Sequence, residues 1–171
     1  MKQISVPNAE LFSEAGRLLS EGKEVTILAR GNSMLPFIRG GVDKVTLASV
    51  PAAVRLGGGG VPGTQGGEGF QEAPSGIAPG DILLCEISPG HFVLHRLVRI
   101  DGERLTLMGD GNLRGVERCS RAHVIARAVR IIRPDGSSAD CCSPSELRKA
   151  RLWRRLLPLR RILLAVWRRT H

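Results

Sequence analysis

Apolar residues recur along this chain with two periods. At residues 8–20 they follow helical spacing: Leu11, Ala15, Leu18 and Leu19 fall on one face, Asn8 stands where an N-cap belongs, and Glu10 lies in the first turn. From Val25 onward the period shortens. Runs of β-branched and aliphatic residues alternate with breaks rich in Gly, Pro and Asp, which is the pattern of short strands joined by turns. Strands are predicted at Val25–Ala29, Lys44–Ala48, Ile82–Ile87, His91–Ile100, Arg104–Met108 and Val124–Ile132. Asp101-Gly102 is a hairpin signal, and Pro79-Gly80-Asp81, Ser88-Pro89-Gly90, Gly109-Asp110-Gly111-Asn112 and Pro134-Asp135-Gly136 read as turns. The expected fold class is therefore mainly β, with one short helix in front.

Two segments depart from this pattern. Residues 57–69 contain eight Gly in thirteen positions, too little side chain to offset the entropy of ordering. They read as a flexible insertion, about 49–78, within a domain spanning 1–136. After Cys142 the period becomes helical again. Ser143-Pro144-Ser145-Glu146 is a capping box with Pro at the first helical position. Leu152, Leu156, Leu159, Leu163 and Val166 then mark one face, and Arg151, Arg154, Arg155 and Arg161 lie largely opposite. Pro158 is expected to kink or divide this 143–171 tail.

Charge separates the tail from the body. Residues 145–171 hold nine Arg or Lys against Glu146 alone, while the whole chain of 171 residues has a net charge of +9. Any electrostatic affinity for a membrane or for nucleic acid must therefore reside in the tail. Its Arg-rich face, with Leu, Ile, Trp153 and Trp167 opposite, suits an anionic membrane surface, or else packing on the body. The absence of a base-reading motif counts against nucleic acid. Residues 1–22 have no apolar h-region and no run approaches the roughly 20 apolar residues of a spanning helix, so the expected location is cytoplasmic, with peripheral contact to the inner face of the plasma membrane. Cys85, Cys119, Cys141 and Cys142 have no Cys-x-x-Cys spacing, so reduced thiols are expected and no metal or cofactor is. Nothing in the pattern bears on oligomeric state.

Three residue types then raise a chemical question. Ser33, in Gly31-Asn32-Ser33-Met34-Leu35-Pro36, comes directly after a strand. A Ser there is ordinarily a turn residue, but Gly31 permits close backbone approach, Pro36 stiffens the far side of the segment, and a nucleophile needs a rigid element behind it. Ser hydroxyl becomes nucleophilic only when a base takes its proton. His95 lies inside a strand, either as a structural ring or as that base, since imidazole titrates near neutrality. Asp110 is either a turn-capping residue or a carboxylate that orients His95. Spacing alone leaves all three open.

Taken together and in order, four segments resemble the boxes of the signal peptidase I family: Gly31-Asn32-Ser33-Met34-Leu35-Pro36, Gly80-Asp81-Ile82-Leu83, Leu94-His95-Arg96-Leu97-Val98 and Met108-Gly109-Asp110-Gly111-Asn112. The resemblance covers about residues 25–132. It implies the coiled, partly barrel-like sheets shared with LexA-type self-cleaving repressors. Most bacterial members carry Lys where this chain has His95, which is similar to the archaeal and endoplasmic-reticulum branch. The resemblance implies a serine endopeptidase acting on a peptide or preprotein: Ser33 attacks, His95 accepts its proton, Asp110 orients or stabilises His95, and the Ser33 backbone N–H helps hold the oxyanion. Gly31 stands where some relatives add a second hydroxyl donor. Gly31, Pro36 and Asp81 are supporting residues on this reading. The absence of an N-terminal spanning helix and the Gly-rich insertion depart from the family pattern. A self-cleaving regulator is one alternative, disfavoured because about 24 residues precede the first strand and His95 replaces Lys. A non-catalytic module binding a membrane or partner on the same fold is another.

Overall fold

The computed structural model of the protein describes residues 8–51 and 76–170. The Gly-rich stretch 57–69 lies outside the described residues. Helix α1 (Asn8–Ser20) precedes strands β1 (Val25–Leu28), β2 (Lys44–Ser49), β3 (Ile82–Ser88), β4 (His91–Asp101), β5 (Arg104–Met108), β6 (Glu117–Ser120), β7 (Val124–Ile132) and β8 (Ser138–Asp140). The tail forms α2 (Pro144–Arg155), a single 3-10 turn (Leu157–Leu159) and α3 (Arg160–Thr170). The chain is mainly β. All eight strands join one antiparallel sheet in the order β1-β2-β7-β3-β4-β5-β6, with β8 added to β7, and the sheet is not a closed barrel.

Alternation along the strands divides the core in two. On β3, Leu84 joins Leu19, Ile27, Met34, Val45, Leu47 and Ala128 under α1. Its neighbours Leu83 and Cys85 point to the other side, where they meet Leu97, Leu105, Leu107 and Val124. Each strand expected from the pattern is present, shifted by at most one residue at an end. The two strands not expected, β6 and β8, have four and three residues with little apolar content. Their neighbours recruit them by backbone pairing, and their own sequence carries no period to reveal it.

Pro158 divides the tail, as the sequence indicates. Ser143 caps α2 by accepting from Glu146 N–H at 3.3 Å. The docking seam, however, differs from the expected one. Trp153 and Trp167, expected to share one apolar face with the leucines, turn toward the body without most of them. Trp153 Nε1 donates to the Asp110 carbonyl at 2.8 Å and its ring stands edge-on to Phe37 at 6.3 Å. Trp167 borders a groove with Pro36, Arg39 and Arg133. Ala150, Arg160 and Leu164 are buried, while Leu152, Leu159 and Val166 from the expected seam remain exposed. An indole carries a donor that a partly buried site can satisfy, which leucine lacks, and at Trp153 the Asp110 carbonyl satisfies it. Among the described residues no helix is long and apolar enough to cross a membrane.

Candidate active site

Ser33 sits on a loop that β1 and β2 close at its neck. Ala29 N–H donates to the Asp43 carbonyl at 2.9 Å, and Gly41 N–H donates to the Ala29 carbonyl at 2.8 Å. Just beyond, the strands of the loop touch: a Cβ at Gly40 would lie 1.9 Å from the Gly31 carbonyl oxygen. The close approach expected at Gly31 is thus one that only glycine at 40 permits. The Leu35–Pro36 peptide is cis. Asp43, fully buried, locks the neck. It accepts from Arg39 N–H at 2.7 Å and the Arg39 guanidinium at 2.8 Å, and it also pairs with Arg133. Arg133 in turn donates to the Phe37 carbonyl at 2.9 Å.

Burial pushes the Asp43 carboxyl up, but hydrogen bonds from Arg39 and the charge of Arg133 outweigh it and hold the group below its ordinary range. A carboxyl depressed in the folded state stabilises fully above its unfolded pKa and loses that contribution as pH falls through its folded value. Asp43→Asn is therefore expected to melt lower than wild type at neutral pH and to lose less further stability on acidification. Thermal melts across pH check this; parallel pH curves for the two proteins would contradict it.

The Gly109–Asn112 loop presses on the backbone of Ser33. Gly111 N–H donates to the Ser33 carbonyl at 2.7 Å. A Cβ at Gly109 would stand 2.4 Å from that same oxygen, and one at Gly111 would stand 2.6 Å from the Asn32 carbonyl. Both obstacles are backbone atoms, so either alanine must displace the segment that carries Ser33. Gly109→Ala is expected to lower any Ser33-dependent activity by about 10²-fold, the scale of an ångström-sized misplacement, in a kinetic assay of the purified variant.

Asp110 does not orient His95. Both its carboxylate oxygens accept from Arg96, from Nε at 2.9 Å and from Nη2 at 2.7 Å, and the pair is buried. Arg96 Nη1 donates to the Gly80 carbonyl at 2.7 Å, and its guanidinium lies 5.0 Å from the centre of the Phe37 ring. One arginine thus ties together the second and fourth motif segments and the back of the Ser33 loop. The geometric reason is the pleat of β4: His95 and Arg96 are consecutive and point to opposite faces, so a carboxylate gripping one is turned away from the other.

The carboxylate beside His95 belongs instead to Glu117 on β6. Its Oε2 lies 2.9 Å from His95 Nδ1, and the His95 side chain is 7% exposed. An ionised carboxylate only accepts, so Nδ1 is the nitrogen that donates to it, and of the two neutral tautomers this contact selects the one with the lone pair on Nε2. Ser33 and His95 line the same cavity, of about 170 Å³, together with Ile27, Met34, Phe92 and Leu94. No hydrogen bond joins Ser33 Oγ to the ring among the described residues. The Ser33 backbone N–H donates to no other group among them, which leaves it available to an incoming oxygen.

Two strand segments border this cavity. Among the described residues β1 pairs with β2, residues 91–95 of β4 pair with β3, and the pairing of β4 with β5 begins at Arg96. Asp81 accepts from Ala78 N–H at 2.9 Å and faces Arg127 at 3.7 Å, as a turn-supporting residue would. Burial raises its pKa despite those partners. Among the described residues no cluster of His, Cys, Asp and Glu is suited to a metal. The residues sequence reading missed are Glu117 and Arg96. Arg96 carried a signal, a charge inside the apolar run Phe92–Val98 that burial obliges to find a carboxylate. Glu117 carried none short of knowing that β6 exists. Family models, curated proteins and solved structures gave no match to the chain.

Proposed function

We propose that the protein is a serine endopeptidase in which Ser33 is the nucleophile, His95 its general base and Glu117 the carboxylate that orients His95. The observation that carries this reading is the Glu117–His95 contact on the wall of the cavity that Ser33 also lines. The carboxylate fixes which ring nitrogen donates to it and leaves Nε2 to serve as the base, and among the described residues Ser33 is the one hydroxyl that lines the cavity. In the reaction His95 Nε2 takes the Oγ proton as Oγ bonds to the scissile carbonyl carbon. The carbonyl oxygen becomes an oxyanion facing the Ser33 N–H. The proton then passes to the leaving amine, and water releases the acyl group by the same route.

An extended peptide fits the approach. Strands β1 and β4 both line the cavity, so an extended substrate lies along strand backbone on either side of it, the geometry of an added strand. A cavity of about 170 Å³ admits a small side chain and falls short of a typical ligand pocket of roughly 300 Å³ or more. Leader-like segments with small residues beside the cleaved bond are the substrate class we infer. The coiled, partly barrel-like arrangement of the signal peptidase and LexA group is the finer description of the sheet we favour. It is supported by β6 lying back against β3, where Cys119 meets the cluster around Cys85.

A serine-reactive fluorophosphonate tests the site. Wild type is expected to take one adduct at Ser33, and Ser33→Ala to take none. Labelling is also expected to slow by about 10²–10⁴-fold in His95→Ala, which removes the base. An adduct mapped elsewhere, or labelling of His95→Ala at the wild-type rate, would overturn the assignment.

A further inference from the structure

The tail's outer surface is the other unusual feature of the molecule. Of the nine large hydrophobic side chains exposed among the described residues, seven lie in two places: Leu113 and Val116 after the Gly109–Asn112 loop, and Leu152, Leu157, Leu159, Ile162 and Val166 on the tail. The two places are neighbours in space. Leu113 and Arg114 share one groove with Leu157, Pro158 and Arg161, and Val116 shares another with Arg154, Leu157 and Arg160. Ile162 is 64% exposed and Leu159 is 52% exposed, values that a helix packed only on its own domain does not need.

The exposed charge of the tail beside these side chains has a single sign. No acidic residue lies beyond Glu146 in the chain. Arg151, Arg154, Arg155 and Arg161 are exposed beside the apolar residues, and Arg114 adds a fifth cation from the body. Arg160 is buried at 2% exposure, stacks on Trp153, and donates to the Asn112 carbonyl at 2.9 Å, fixing the elbow at Pro158 against the loop. Its Nε has no hydrogen-bond partner among the described residues, and the acid nearest the elbow, Asp110, is buried and already paired with Arg96. An apolar ridge rimmed by cations of one sign is complementary to one partner chemistry in particular, an anionic bilayer surface. Phosphates meet the guanidinium groups while the aliphatic side chains enter the acyl boundary.

We propose that the elbow of the tail, with Leu113 and Val116, is a docking surface for anionic lipid bilayers. Leu157, Leu159 and Ile162 insert, and Arg114, Arg154 and Arg161 engage lipid phosphate. The proposal stands whether or not Ser33 is a nucleophile. It differs from the arrangement expected of the sequence, because both tryptophans face the body and the inserting residues are aliphatic.

Sedimentation of the full chain with extruded vesicles tests it. Vesicles of phosphatidylcholine mixed equally with phosphatidylglycerol are expected to carry the protein down, and phosphatidylcholine alone is not. Each arginine replaced by Gln, at 114 or 161, should weaken partitioning by about fivefold, the weight of one surface charge at an anionic leaflet. Leu159→Ser with Ile162→Ser should weaken it by at least about tenfold, since each removes an inserting side chain. Raising salt from about 0.1 M to about 1 M, which shortens the Debye length from roughly 10 Å to roughly 3 Å, should release much of the protein. These side chains are exposed, so circular dichroism of the variants should match wild type. Failure to sediment with the anionic vesicles, equal sedimentation with both lipids, or full binding by the Leu159→Ser/Ile162→Ser variant would overturn the proposal. So would tighter binding to duplex DNA than to anionic vesicles that this variant leaves unchanged. Loss of vesicle binding with intact Ser33 labelling would separate this surface from the active-site reading.

Discussion

Glu117→Gln is expected to lower turnover by about 10⁴-fold while the protein stays folded. The amide that replaces the carboxylate has both a donor and an acceptor, so it no longer dictates which ring nitrogen of His95 carries the proton. If the side-chain NH₂ turns to Nδ1, the proton moves to Nε2 and the base is lost. Folding is spared because Glu117 sits at the rim, its side chain 28% exposed, where Gln is solvated as easily. Steady-state kinetics on a cleaved peptide, alongside a thermal melt, check both halves. A variant that cleaves at the wild-type rate would show that the contact with His95 is structural only.

Asp110→Ala is expected to do something different, destabilising the fold by about 3–5 kcal/mol. The side chains of Asp110 and Arg96 are 5% and 9% exposed. Removing the acid leaves the guanidinium buried with its charge unanswered, and Gly80 and the Ser33 loop lose the residue that ties them to the Gly109–Asn112 segment. For a domain of this size the cost corresponds to a fall in melting temperature of about 10 °C. Urea unfolding and thermal melts measure it. Were Asp110→Ala as stable as wild type but inactive, with Glu117→Gln fully active, the assignment of the two acids would be reversed. The contrast is informative because the two residues are seven apart in sequence and belong to opposite faces of the sheet.

Most of the architecture was legible in the chain because it is locally encoded. The strands Arg104–Met108 and Val124–Ile132 and the helix from Asn8 to Ser20 have the bounds that alternation and spacing indicate. Pro158 ends α2 because it lacks an N–H, a property of one residue. The site was half legible for the same reason. Ser33 and His95 stand in recognisable local surroundings, and the structure brings them to one cavity. Which acid faces His95 depends on pairing between β5 and β6, on the pleat of β4, and on Arg96 claiming Asp110. These are contacts between segments far apart in sequence, which no local pattern carries. The tail shows the same limit. Its helices and their break were readable, but the choice of indoles over leucines as the docking seam depends on the carbonyl of Asp110 being placed to receive Trp153.

Cleavage of leader-like segments from other polypeptides by Ser33 is the central claim. It is tested most directly by mass spectrometry of the peptides and proteins that accumulate in cells whose own copy of this chain carries Ser33→Ala. Species with an uncleaved N-terminal segment are expected there, absent from the wild type and lost again when Ser33 is restored. Identical termini in the two cell lines, or a difference confined to the length of this chain itself, would contradict it.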